Sequence, residues 1–380
     1  MRFQLTEEQQ FVRETARRFL ESEASIAAVR SLFEQPAGFS SAYWKRIGEL
    51  GWLSLAASHE AGGYSASEHQ GQDLCLIAEE MGRRVAPGPF APTGVVLHGL
   101  AAAADGIDRN ELASKIVTGD LVATWAFGEP GVRWDPQTIT ATASLSNGEV
   151  TLNGVKAYVE AGAEAQVILV TARSDAGLTQ VLVPWDAVGL TVVPGRSLDL
   201  VRRFAEVRLE NVRLPRSAIV GRFGEASAAV ERQLQLALLL QAAETNGALE
   251  RAFEFTVEYM RERNAFGRPI ASYQALKHRL ADNLLWVHSS MAITDAAVDA
   301  FDANSPDTPR LARIAKIYVA LRSSRIISDL VQLTGGIGLT WDHDLHLYER
   351  RIAVNRAVLG TPEFYRPALF QILAGSIEGS

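Results

Sequence analysis

Between Leu121 and Ile219 the hydrophobic pattern of this chain changes period, and that change constrains the fold more than any other feature. On both sides of the segment apolar residues recur at three- and four-residue steps, the spacing that lines one face of a helix. Inside it, short β-branched runs alternate with turn signals at Ser146-Asn147-Gly148, Asn153-Gly154, Asp175-Ala176-Gly177 and Pro194-Gly195. The pattern predicts an α+β protein in three parts: helical over 1–118, an antiparallel β sheet or barrel over 119–222, and helical again over 223–380. At roughly 150 residues per domain, 380 residues agree with two or three domains.

Thr6 followed by Glu7, Glu8 and Gln9 reads as a capping box that starts the first helix. Further helices are expected over Tyr43–Leu50, Gln72–Arg83 and Gly94–Ala104, then over Glu225–Arg263, Tyr273–Asp302, Thr308–Gly335 and Pro362–Gly375. Ser305-Pro306-Asp307 should reverse the chain between two antiparallel helices. Strands are expected over Ile139–Ala143, Glu149–Leu152, Val167–Thr171, Gln180–Pro184 and Ala205–Leu209.

Composition narrows the classes of function. Thirty-seven basic against 44 acidic side chains give a net charge of -7, which offers no global attraction to nucleic acid. No run of about 18 apolar residues occurs and the amino terminus is polar, so the expectation is a soluble, cytoplasmic protein outside the membrane. The single cysteine, Cys75, sits among Leu74, Leu76 and Ile77 and excludes internal disulfides and multi-cysteine metal sites. His343 and His346 have metal-like spacing, yet no third ligand stands in clear relation to them, and no metal is expected.

Two motifs carry possible chemistry. Arg263 through Ile270, with Gln274 close behind, places an arginine at a helix end near a Gly-Arg-Pro corner, suited to a phosphate or equally to a surface ion pair. Gln332-Leu333-Thr334-Gly335-Gly336-Ile337-Gly338 follows a helical segment, where paired glycines either admit a ligand close to the backbone or simply cap the helix. It is neither a Walker loop nor a dinucleotide fingerprint.

In order along the chain, these motifs join Leu50-Gly51-Trp52-Leu53, Glu60-Ala61-Gly62-Gly63-Tyr64, Glu129-Pro130-Gly131, Leu152-Asn153-Gly154-Val155-Lys156 and Val212-Arg213-Leu214-Pro215. Together they resemble the acyl-CoA dehydrogenase family over nearly the whole chain. The resemblance implies a helical domain, a central β domain, a carboxy-terminal four-helix bundle, and assembly with FAD at a subunit interface, as a homotetramer or as a heterotetramer with a homologous chain. It implies that Arg263 and Phe266 approach the FAD pyrophosphate of a neighbouring subunit, that Gln332, Gly335 and Gly336 line its adenosine side, and that Gln274 and Thr361 make further cofactor contacts. Phe127 to Gly131 and Tyr158 to Glu160 would flank the flavin ring. This chain reads Gly128-Glu129-Pro130 where relatives commonly have Thr-Glu-Pro, and Tyr158-Val159-Glu160 where they have Trp-Ile-Thr.

The implied reaction takes an α proton from an acyl-CoA thioester while flavin takes a β hydride, with electrons passed to an electron-transferring flavoprotein. It needs a carboxylate. The two positions where relatives carry it correspond here to Leu359 and Ala237. Glu244 lies seven residues beyond Ala237, on the same helical face about 10 Å along the axis. It is the expected base, desolvated among apolar neighbours, with Gly247 leaving room for substrate. The competing expectation is a non-catalytic subunit that completes the FAD site of a homologous chain. Straight-chain, branched, aromatic and steroid side-chain thioesters stay equally open.

Overall fold

The computed structural model describes residues 5–63, 69–103, 107–131 and 134–378. Tyr64 and Ala104, named above, lie outside the described residues. The first part holds α1 (Glu7–Glu23), α2 (Ile26–Ser31), α3 (Ser41–Glu49), α4 (Gln70–Arg83), α5 (Phe90–Ala102) and α6 (Ile107–Val117). The capping box forms as written in the sequence: the Thr6 hydroxyl accepts from Gln9 N at 3.1 Å, and Gln9 Oε1 accepts from Thr6 N at 3.2 Å. Helices α2 and α6 were not expected; the first is six residues long, too short to show a period.

The middle part is an eight-stranded sheet: β1 (Ala123–Ala126), β2 (Thr142–Ser146), β3 (Glu149–Glu160), β4 (Val167–Ser174), β5 (Gly177–Pro184), β6 (Leu190–Pro194), β7 (Phe204–Pro215) and β8 (Ile219–Val220). Its main path runs β6-β7-β3-β2-β4-β5-β8. The sheet is mixed, correcting the antiparallel expectation, because β1 pairs parallel with β4 from Ala123 opposite Val167 to Ala126 opposite Val170. All four β1 residues are buried, so the strand shows no polar alternation that would have marked it. The expected strand at Ile139 begins only at Thr142, since the carboxylate of Glu129 captures the backbone there instead. Glu129 accepts from Thr140 N at 2.8 Å and Ala141 N at 2.9 Å.

That carboxylate is buried and also holds Lys156 Nζ at 2.9 Å. Burial pushes the Lys156 ammonium down to about 8 against the pull of Glu129. The Lys156 ammonium donates in addition to Phe127 O at 3.2 Å, so this pair fixes the loop that carries Phe127 and Gly128.

The last part is helical: α7 (Ser227–Glu262), α8 (Gln274–Asp302), α9 (Thr308–Thr334), α10 (Leu345–Ala357) and α11 (Pro362–Glu378). α7, α8 and α9 pack on one another, with α10 against α7 and α9 and α11 against α9. The reversal at Ser305–Asp307 lies between α8 and α9. Within this part the core combines Leu249, Ala252, Val287, Ile326 and Leu330.

α7 is about 54 Å long and also crosses α4 from the first part. The crossing is close because both helices present glycine. A Cβ on Gly82 would stand 1.9 Å from Glu244 O, and one on Gly247 would stand 1.9 Å from Glu79 O. Gly247 therefore faces the backbone of α4 rather than substrate, which corrects the sequence expectation. The crossing sets the height of Glu244 along the molecule.

Gly247→Ala should force α4 and α7 apart and lower stability by at least about 1 to 3 kcal/mol. Gly336→Ala, whose Cβ would meet nothing within 4 Å, should leave the unfolding midpoint nearly unchanged. Chemical or thermal unfolding of the two variants compares them directly.

Candidate active site

One cleft opens where α5, the sheet and α7 meet, lined by Phe127, Gly128 and Tyr158 from the sheet side and by Ala237, Gln241 and Glu244 from α7. Leu359, in the loop after α10, closes it together with Val358. Four of the residues expected beside a flavin ring, the two positions Ala237 and Leu359 where the resemblance places a glutamate, and Glu244 thus share one space. Aromatic side chains dominate the remaining wall: Trp125 stacks on Phe127 at 4.6 Å between centroids, and Trp134 meets Tyr158 at 5.7 Å.

Local backbone irregularity aims these side chains. β3 and β7 shift register between Lys156 and Val159, and Tyr158 within that shift has φ of 56°. The next residues of β3 bring Glu160 to the cleft. Leu359 also has positive φ, 62°, and its carbonyl accepts from the Tyr365 hydroxyl at 2.5 Å. A β-branched residue would be strained at either position.

Polar groups gather at one end of the cleft. Arg202, from the segment between β6 and β7, grips Glu160 with both Nε, at 2.8 Å, and Nη2. Its Nη1 reaches Glu244 Oε2 at 3.2 Å and the Asn355 side-chain oxygen. Arg351 of α10 donates from Nη1 to Glu244 Oε1 at 2.6 Å and from Nε to Asp199. Its remaining N–H groups satisfy Val85 O and Ala86 O at 3.3 and 3.2 Å. Asn355 Nδ2 donates to Glu244 Oε2 at 2.8 Å. Beside this network Lys316 is buried and donates to Gln241, Asn355 O and Val358 O.

Two arginines thus share three carboxylates. Burial pushes the Glu160 carboxyl up, only partly opposed by Arg202. Asp199 is more deeply buried, yet Arg351 and the backbone N–H of Val201 hold it below the usual carboxylate range. Burial drives Lys316 well down. Glu160, unexpected at a position beside a flavin, is thereby charge-matched by Arg202. Glu244 is bound on both oxygens.

The other residues expected at the cofactor do not enter the cleft. Arg263 ends α7, exposed. Phe266 and Gly267, with φ of 52° and 83°, form the turn between the short strands Asn264–Ala265 and Arg268–Pro269, and Phe266 is 98% exposed. Gln274 opens α8, while Gln332 in the last turn of α9 borders a shallow surface groove with Arg279 and Asp329. Gly335 caps α9 with φ of 71°, and no atom lies within 4 Å of a Cβ at Gly335 or Gly336. Thr361 accepts from Phe364 N at 3.3 Å, two residues from Leu359.

Arg202, Asn355 and Trp134 line or border the cleft, and nothing in their sequence neighbourhoods singles them out. His343 packs against Phe255 and Tyr259, and His346 stacks on Trp341 at 4.9 Å. Among the described residues no group of three or more His, Cys, Asp or Glu is placed to hold a metal ion. No helix among them is long and apolar enough to cross a membrane.

Comparison with known proteins adds to this geometry. Sequence models of the acyl-CoA dehydrogenase N-terminal, middle and C-terminal domains match residues 6–120, 124–212 and 227–372. The acyl-CoA dehydrogenase IpdE2 of Mycolicibacterium smegmatis is 29% identical over 359 residues, spanning 94% of this chain and 96% of that protein. Among solved structures, a variant of the Tcur3481-Tcur3483 steroid ACAD shares 26% identity at a TM-score of 0.88, covering 98% of this chain and 99% of that one. A putative acyl-CoA dehydrogenase from Mycobacterium smegmatis superposes with a TM-score of 0.91 at 23% identity, covering 97% and 98% of the two chains.

Arg351→Met removes the cation from buried Asp199 and partly buried Glu244 and should destabilise the protein by about 3 to 5 kcal/mol, read as a lower unfolding midpoint. An unchanged midpoint would mean that the network is not holding the three parts together.

Proposed function

Because the chain belongs to the acyl-CoA dehydrogenase family, whose members are FAD-dependent oxidoreductases acting on the CH–CH group of acyl-CoA, we propose that its cleft dehydrogenates an acyl-CoA thioester with Glu244 taking the α proton. The observation that carries this reading is that Glu244 shares the cleft with Ala237 and Leu359, the two positions to which the family resemblance assigns the base.

FAD fits the residues present. Aromatic side chains line the cleft that a flat ring would enter, and Arg202 matches the charge of Glu160 there. The open backbone at Gly335 and Gly336 leaves space for the adenosine side, and Arg263 supplies a guanidinium for phosphate. When bound, the flavin supplies the hydride acceptor for the β carbon. Arg351 and Asn355 orient the Glu244 carboxylate, and Arg202 must give way at Oε2 for that oxygen to meet a substrate proton. Electrons would pass on to an electron-transferring flavoprotein.

A second reading is favoured by the same network: both oxygens of Glu244 are already taken up by two guanidiniums and an amide, and Ala237 and Leu359 are apolar. In that reading the chain is one half of a two-chain dehydrogenase, lending Arg263, Phe266 and Gln332 to a homologous partner. The paired names of the similar steroid ACAD structure suit such an assembly.

Purification separates the two. For the first reading, the chain alone carries flavin, the flavin bleaches with an acyl-CoA, and Glu244→Gln lowers kcat by about 100-fold or more with flavin still bound. A colourless chain that gains flavin and turnover only with a homologous partner, and whose turnover then ignores Glu244→Gln, establishes the second.

A further inference from the structure

Trp134 lines the cleft, is only 4% exposed, and its indole N–H meets no acceptor among the described residues. A buried donor left unpaired is costly, so its persistence at a ligand cleft asks what completes it. Its six-membered ring lies against Gly128: a Cβ there would stand 2.6 Å from Cζ3 and 2.9 Å from Cη2. Gly128 and Trp134 are therefore one unit, because a side chain at 128 would displace the indole. Tyr158, itself held at positive φ, packs directly on the indole at 5.7 Å between ring centroids.

The candidate occupants of this space differ in what they offer. An acyl chain is hydrocarbon and brings no acceptor to the wall. A flat heteroaromatic ring brings carbonyl oxygens and ring nitrogens around its edge, where an N–H donor can meet them. We propose that the Trp134 indole N–H is a hydrogen-bond donor to the edge of the isoalloxazine ring, seated there by the bare backbone of Gly128. The assignment rests on the reading that a flavin ring enters this cleft.

The donor is unsatisfied without ligand and satisfied with it, and this separates binding from packing. Trp134→Phe keeps an aromatic ring and deletes the N–H. In the flavin-free protein it should leave the unfolding midpoint unchanged or raise it, whereas a purely structural tryptophan would lower it. With FAD, whether the chain is alone or with a homologous partner, the variant should bind about tenfold more weakly and show a shifted visible flavin band. Should Trp134→Phe fail to fold, Gly128→Ala carries the same measurement, since its Cβ pushes the indole from its seat. Equal FAD affinity and an identical spectrum in wild type and variant overturn the role of Trp134 alone. A wild-type chain that takes up no flavin under either condition overturns this role and the flavin reading together.

Discussion

The ion network around Arg351 is the interaction on which the arrangement of the three parts depends. Arg351 is fully buried on α10 and bonds Asp199 beyond the sheet, Glu244 on α7 and two carbonyls just after α4. No single domain contains all of its partners. A buried guanidinium is tolerable only when its donors are met, so the three parts must approach together for any of them to satisfy it. Arg202 repeats the logic one step nearer the cleft, tying β3 to α7 and α10 through Glu160, Glu244 and Asn355. Such a network gains little stability over an apolar equivalent, but it penalises every misaligned packing of the domains.

The same bonds decide what the cleft can do. Three acids stand at or behind its polar end, and each is committed to at least one arginine. Proton abstraction by Glu244 requires loss or lengthening of one of those bonds, and the Arg202 contact at 3.2 Å is the longest of its ion pairs. Because Arg202 also holds Glu160 with two donors, it can relax toward Glu160 without becoming unpaired. A gain of proton by Glu160 would act in the opposite direction, returning Arg202 to Glu244. The two acids are coupled through one cation, and neither can be described alone.

What could be read in advance follows the range of the interactions. The Thr6–Gln9 capping box, the Ser305–Asp307 reversal and the switch of period at the sheet depend on neighbours in sequence, and they were legible. The parallel pairing of β1, the glycine crossing of α4 with α7 and the role of Arg202 depend on segments tens to hundreds of residues apart. Glu244 shows the limit well. Helical spacing put it in the same cleft as Ala237, but nothing within a few residues announces Arg351 or Arg202. Gly247 was misassigned for the same reason: a small residue on a helix reads equally as room for a ligand or room for another helix, and Glu79 O decides between them.

The expected cofactor residues divide by exposure, and the division carries a structural consequence. Phe127, Gly128 and Tyr158 line the cleft, whereas Arg263, Phe266, Gln274, Gln332, Gly335 and Gly336 stand exposed at helix ends or turns. Phe266 sits at the tip of a two-residue turn in the left-handed region, a strained position for an aromatic residue that the packing of its own chain does not explain. An exposed phenylalanine beside an exposed arginine is costly surface for an isolated chain and useful surface against a second one. In the proposed reading one protomer would supply the cleft and another the exposed helix ends to a single dinucleotide, so that each chain would contribute to two sites.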